Sequence, residues 1–217
     1  MPDNSDFLNA VVSGNAETVR SLINANPALV SARDPQGVSA LMHAVYRGRK
    51  EVVNILLTSH PDLDVFEAAA LGQTQRLDEL LTQSPSLVND YSADGFTALH
   101  FAAYFSQPAA ANLLIEHRAN VAAVAKNPTK VMPLHSAASS RNVAVVRQLL
   151  EHGAPANARQ QAGYTPLHAA AQNGDIDSLE TLLQHGADPT ARNDDGKTPA
   201  DVAKEKKHQH ILDRLTR

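Results

Sequence analysis

Residues 191–198 read ARNDDGKT, which fits the short phosphate-loop pattern of a small residue, four of any kind, then Gly-Lys-Thr. In that chemistry backbone N–H groups cradle a phosphate and the lysine neutralises it. The pattern needs a buried strand before it and a long helix after it. Here the preceding LLQHGADPT reads as a helix end and a turn, and Asp194 and Asp195 would repel a phosphate. No nucleotide site is expected. Ten histidines raise metal binding instead. His100, His135 and His168 recur at near-equal spacing, His117, His152 and His185 form a second series, and His208 and His210 lie close to one another in sequence. If stacked helices present one histidine each, these stand ~8–10 Å apart. A zinc ion holds its ligands at ~2 Å, so one ion does not bridge such a ladder. His208 and His210, read as helical, point to different faces. Ser136 follows His135 directly, and helix neighbours point apart, so no nucleophile–base pair is read there. Asp62/Asp64 lie in a turn, and Asp175/Asp177 open a helix, where negative charge is favoured.

The composition excludes several classes. Its 217 residues are 43% hydrophobic, enough to bury a core, and contain no cysteine. Disulfides, cysteine-held metals and thiol nucleophiles are therefore excluded. A net charge of −4 argues against a general nucleic-acid binder. The start, MPDNSDFLNAVVSGN, lacks a basic region followed by an apolar run, and no window approaches the ~18 apolar residues of a membrane span. A cytoplasmic protein is the expectation.

The elements that position these residues come from a repeat. TALHFAAYFSQ starts at Thr97, MPLHSAASSRN at Met132, TPLHAAAQNGD at Thr165 and TPADVAKEKKH at Thr198, at intervals of 35, 33 and 33 residues. NLLIEHRAN, RQLLEHGAP and TLLQHGADP follow the first three. The pattern resembles the ankyrin repeat, a finger-like turn followed by two antiparallel helices. In TPLHAAAQNG, Thr165 can cap a helix, Pro166 suits its first position and Gly174 its end. Ile176, Leu179, Leu182 and Leu183 then form one apolar stripe. SALMHAVYRGRKEVVNILL is a further repeat with Met42 in the histidine position. NANPALVSARDPQGVSAL aligns with TQSPSLVNDYSADGFTAL at an offset of 58, so a two-repeat unit is read as duplicated.

The expected fold is thus an all-α solenoid in one domain, 1–217, with an N-terminal cap over about 1–35 and a C-terminal cap over about 195–217. Seven helix pairs are placed near 5–25, 39–58, 63–83, 97–117, 132–152, 165–185 and 198–216. TSHPDLD is too short for a finger, so the finger row is interrupted near 58–64, whereas AVAKNPTKV has two extra residues and makes an enlarged finger. ARNDDGKT becomes the seventh finger, with Lys197 aligned on Tyr164.

The resemblance implies a non-enzymatic module that binds a protein or peptide through fingers and exposed first-helix positions, without cofactor, metal, nucleotide, nucleic acid or membrane, and monomeric alone. Carried over by alignment, those positions are Tyr91, Ala93, Asp94, Phe96, Tyr104 and Phe105 in the fourth repeat. The sixth supplies Arg159, Gln161, Ala162, Tyr164, Gln172 and Asn173, and the second supplies Tyr46 and Arg47 beside Arg33 and Gln36. Lys126, Thr129, Val131, Ser139 and Ser140 of the fifth and Arg192, Asp194, Asp195 and Lys197 of the seventh extend the surface. Five of the nine Phe and Tyr residues fall between Tyr91 and Phe105, the composition of an interface centre, although bracing of the neighbouring fingers would also account for them. Two other readings stand beside this one: a dedicated regulatory or immunity partner of one enzyme or toxin, and a small-ligand or enzymatic site near His60–Asp64 under the interrupted fingers.

Overall fold

The computed structural model describes residues 4–59 and 61–216. Among them are fourteen α-helices and no strand, and the helices fall into the seven expected pairs. They divide into two compact units, Met1–Glu67 and Ala68–Arg217.

In the first unit α1 (Asn4–Ser13) packs on α3 (Ala40–Tyr46), and α2 (Ala16–Ala25) on α4 (Lys50–Thr58). The apolar stripes of these helices bury Phe7, Val11, Val19, Leu41, Val52 and Leu56 completely or nearly so. A 3-10 turn over Pro27–Ser31 leads into the first finger. There Arg33 and Ser39 form an antiparallel bridge, and the Asp34 carboxylate accepts the N–H groups of Gln36 and Val38, both at 2.9 Å. Its other oxygen pairs with His43 Nε2 at 2.8 Å.

Where the finger is missing, a carboxylate network stands in its place. Asp64 caps α5 (Val65–Leu71) by accepting the N–H groups of Phe66 and Glu67 at 3.0 and 2.9 Å, and Glu67 reciprocates by accepting the Asp64 N–H at 2.9 Å. Such a reciprocal box satisfies helix donors that would otherwise lack partners. Two further contacts tie it back to the first finger: Arg33 Nη2 meets Asp64 at 2.9 Å, and the Ser39 hydroxyl donates to Glu67. Glu67 is 4% exposed. Burial first, then the Asp64 charge, pushes its carboxyl above the usual range.

The second unit stacks its first helices α7 (Ala98–Tyr104), α9 (Pro133–Ser139), α11 (Pro166–Asn173) and α13 (Pro199–Glu205) in one row. A second row contains α6 (Thr74–Gln83), α8 (Pro108–Glu116), α10 (Val143–Glu151) and α12 (Ile176–Gln184), and α14 (Gln209–Leu215) pairs with α13. Close approach in the first row is possible because its facing residues are small: Ala102, Ala103, Ala137, Ala138, Ala170, Ala171 and Ala203 are fully buried. The second row contributes the larger apolar volume through Leu77, Leu81, Leu114, Leu149, Leu179 and Leu182. The turn over Pro85–Asn89 repeats that over Pro27–Ser31 at the offset of the internal duplication.

Three fingers of this unit close with one spacing: Ser92 N–H to Phe96 O, Gln160 N–H to Tyr164 O and Asn193 N–H to Lys197 O. The fourth closes from Ala125 N–H to Val131 O, two residues longer, which is the enlargement expected from its sequence. Backbone bonds then join finger to finger, with Lys126 N–H to Gly95 O at 2.8 Å, Gln161 N–H to Thr129 O at 2.9 Å and Asp194 N–H to Ala162 O at 3.0 Å.

Candidate protein-binding face

Each histidine of the first ladder occupies the third position of a first helix and uses both ring nitrogens. His100 Nδ1 accepts the Thr97 N–H at 3.2 Å and lies 2.8 Å from the Thr97 hydroxyl, while Nε2 reaches Val131 O of the next finger at 3.1 Å. His135 bonds Met132 N–H and Ala158 O, both at 3.1 Å, and His168 bonds Thr165 N–H at 3.2 Å and Lys197 O at 3.0 Å. Acceptance at Nδ1 and donation from Nε2 require the neutral ring. Burial holds His100 and His135 at about 4 and lowers His168 as well, against the opposing pull of the carbonyls they bond. Thr165 stands at the N-cap of α11 as its position suggested, in a capping box with His168: its hydroxyl lies 2.8 Å from His168 Nδ1, which also accepts the Thr165 N–H. The seventh repeat has Asp201 in place of the histidine and keeps the same box: Thr198 accepts the Asp201 N–H at 3.2 Å, and the Asp201 carboxylate accepts the Thr198 N–H at 2.9 Å.

The second ladder closes helix ends. His152 and His185 bond the carbonyls of Gln148 and Thr181, each at 2.8 Å, and His117 meets Asp78 at 2.9 Å. His208 and His210 differ from the expectation of divergent faces: their rings lie 6.0 Å apart. The reason is local, since His208 is the residue preceding α14 and has no helical conformation. Both rings donate at 3.0 Å to backbone carbonyls of the preceding repeat, of Gln172 and Gly174. No group of three or more metal-ligating side chains forms among the described residues.

ARNDDGKT is a finger. The Asn193 carboxamide accepts the Asp195 and Lys197 N–H groups at 3.1 and 2.9 Å, folding the loop onto itself. Arg159 reaches across to Asp194 at 3.0 Å, and Lys197 Nζ is held by Glu205 at 2.8 Å. The helix that follows, α13, has seven residues.

The aromatic cluster separates into exposed and bracing members. Tyr104 is 55% exposed and meets Phe105 edge-on at 5.1 Å. Phe105 is half-buried and stacks on the buried Phe101 at 6.5 Å, and Phe101 meets Phe96 edge-on at 5.8 Å. Phe96 also leans on His100, with ring centroids 5.7 Å apart. Tyr91 supports the enlarged finger: its hydroxyl donates to Val124 O at 3.1 Å, and Lys126 Nζ lies 4.1 Å over its ring. Val124, 41% exposed, was not singled out by the repeat alignment because it precedes the finger tip. Tyr164 is half-buried against His168, with centroids 5.2 Å apart.

The polar members divide similarly. Arg159, Gln161 and Gln172 are exposed; Arg159 also donates to Arg192 O at 2.7 Å, and Gln161 contributes its backbone to the finger ladder. Asp94 is half-buried, takes the Ser92 hydroxyl at 2.5 Å, and its carbonyl accepts from Asn127 at 2.9 Å. Asn173 reaches Ser139 O at 3.0 Å, a stitch between repeats. In the first unit Tyr46 is 39% exposed, and Arg47 lies 3.2 Å from His43 Nδ1. Asp64, one of the acids near the interrupted finger, is committed to the cap of α5, and His60 lies outside the described residues.

With this geometry in view, the comparison with protein families is direct. The model described as ankyrin repeats in three copies matches residues 7–67, 123–193 and 155–216, and that for a single ankyrin repeat matches 94–126. The chain belongs to the ankyrin-repeat family. The family's helix pairs and fingers are those described above, and ankyrin repeats are generally protein–protein interaction modules, typically without catalysis. No helix among the described residues is long and apolar enough to cross a membrane. Glu67 is the residue that the alignment passed over. It stands third in its helix, where other repeats have histidine, and an acid at a histidine position was the available signal.

Proposed function

We propose that this ankyrin protein is a non-enzymatic binding module whose partner, a protein or peptide, is held by the fingers and exposed first-helix ends of the second unit. Tyr104 carries the reading. A large amphipathic ring, more than half exposed, rests on a stack of Phe105, Phe101 and Phe96 that holds it in place. Rigid aromatic anchors of this kind dominate interface energetics, because they bury much surface and lose little conformational freedom. Gln161, Gln172 and Arg159, two repeats further along, are polar contacts of the same face; Tyr91, Asp94, Phe96, Phe105, Tyr164 and Asn173 hold the face in shape while offering an edge to the partner. Tyr46 and Arg47 have the equivalent positions in the first unit. The same reading takes the protein as cytoplasmic and monomeric on its own.

The test is site-specific photocrosslinking in the native lysate, with the crosslinker at position 104 and, as the control, at position 147 on the exposed side of α10. A partner captured at 104, displaced by excess unlabelled protein and absent at 147 supports the proposal. Equal capture at both positions overturns it.

A further inference from the structure

Helix pairs of the second unit turn between their two helices through one residue with positive φ. In the third and sixth repeats it is glycine, Gly72 and Gly174, where a Cβ would meet Gln107 at 2.3 Å and His208 at 2.7 Å. The fourth, fifth and seventh repeats have Ser106, Arg141 and Lys207 there, at φ 57, 59 and 62. A side chain in this region is held against its conformational preference. Such strain persists when something offsets it. Backbone bonds close both turns, Arg141 N–H to Ala138 O at 3.4 Å and Lys207 N–H to Lys204 O at 3.1 Å, but they leave the two cationic side chains unused: Arg141 and Lys207 are exposed, and among the described residues neither side chain makes a hydrogen bond or an ion pair. Lys204 and Lys206 lie beside Lys207, also exposed and, among the described residues, without ion pairs; of the nearby acids Glu205 is drawn off to Lys197, and Asp201, which feels the charge of Lys204, is bonded to Thr198. A chain with net charge −4 thus gathers four unpaired cations on one edge of repeats five and seven.

We infer that the edge formed by the turns between paired helices, from Arg141 to Lys204, Lys206 and Lys207, binds an acidic peptide segment. Arg141 and Lys207 are two repeats apart, ~20 Å at ~10 Å per stacked helix. An extended peptide covers that span with about six residues. The exposed Asp177 opens the helix of the intervening repeat. A peptide can place a neutral residue against it, whereas a polynucleotide brings a charge at every step, so the charge pattern favours the peptide. The edge adjoins the first-helix ends of the Tyr104 strip, since Arg141 follows Ser140 and Lys206 stands in the register of Phe105, but it does not include Tyr104 itself.

Fluorescence anisotropy with labelled octaglutamate at low ionic strength tests this on the full chain. Arg141→Gly/Lys207→Gly should weaken binding at least tenfold while raising Tm by about 4–8 °C, since glycine relieves both strained turns. A structural role alone would not move affinity and stability in opposite directions. Arg118→Gly is the control: Arg118 is another exposed cation at positive φ, 67, but it follows the far end of α8. It should raise Tm and leave the affinity unchanged, as should Tyr104→Ala leave it unchanged. No saturable octaglutamate binding, an equal loss in Arg118→Gly or Tyr104→Ala, or tighter binding of a single-stranded oligonucleotide than of octaglutamate would each overturn the assignment.

Discussion

Acidification should unfold this protein through its histidines before its carboxylates titrate. His100 and His135 are each 1% exposed and bonded as neutral rings, and burial lowers both from 6.5 to about 4. A histidine whose folded value is depressed favours the folded state above its unfolded value, and that stability is lost as pH falls from about 6.5 through 4. At pH 5 the unfolded ring is almost fully protonated and the folded ring hardly at all. With about 1.4 kcal/mol for each pH unit below 6.5, each histidine costs about 2 kcal/mol relative to pH 7, and the two together about 4. His168, lowered by the same cause, adds in the same direction. Against a total stability of ~5–15 kcal/mol this is a large fraction. Asp188, held low by the Thr190 hydroxyl and N–H, and Asp201, held low by the Thr198 N–H and hydroxyl, lose their contribution only below the ordinary carboxylate range, outside the window. Glu67, raised by burial, acts with the opposite sign. Urea unfolding followed by circular dichroism at pH 7 and pH 5 measures the difference, and His135→Gln should remove about half of the dependence. A change under ~1 kcal/mol between the two pH values would refute the neutral, buried ladder.

His135→Ala should lower stability by about 1–3 kcal/mol, because the Met132 N–H and Ala158 carbonyl lose their partner, and purified protein analysed for metal should contain no stoichiometric zinc for the change to remove. Lys197→Ala should leave the circular dichroism spectrum intact, and titration with ATP or GTP should show no saturable binding in either protein, since the lysine is held by Glu205 at the end of a finger. Tyr104→Ala should weaken partner binding by about 2–4 kcal/mol with little change in Tm, whereas Phe105→Ala should lower Tm by several degrees, because only the second ring is stacked inward on Phe101. The proposal of one domain over 1–217 predicts a single calorimetric transition whose calorimetric and van't Hoff enthalpies agree; two resolved transitions would contradict it.

The sequence by itself determined the repeat, its period and the position of each helix pair. Those features follow from short-range rules: Pro166 at a first helical position, Gly174 in the left-handed turn at φ 66, and leucines at helical spacing act within a few residues of themselves. The enlarged finger was legible for the same reason, because two extra residues must lengthen the Ala125–Val131 closure whatever surrounds it. Tertiary structure decided what each side chain is used for. Tyr91 is one of several clustered aromatics in the sequence, and only the enlarged finger, 33 residues on, gives its hydroxyl the Val124 carbonyl to bond. What the His208 and His210 rings bond is set by the preceding repeat, which presents the Gln172 carbonyl to the first and the Gly174 carbonyl to the second, each 36 residues away. Glu67 is an unremarkable helix acid until Ser39 and Asp64, brought from the finger and the cap, enclose it. Local backbone geometry depends on neighbours along the chain, whereas burial and hydrogen-bond partnership depend on groups some thirty residues away, which the repeat brings together only after it has stacked.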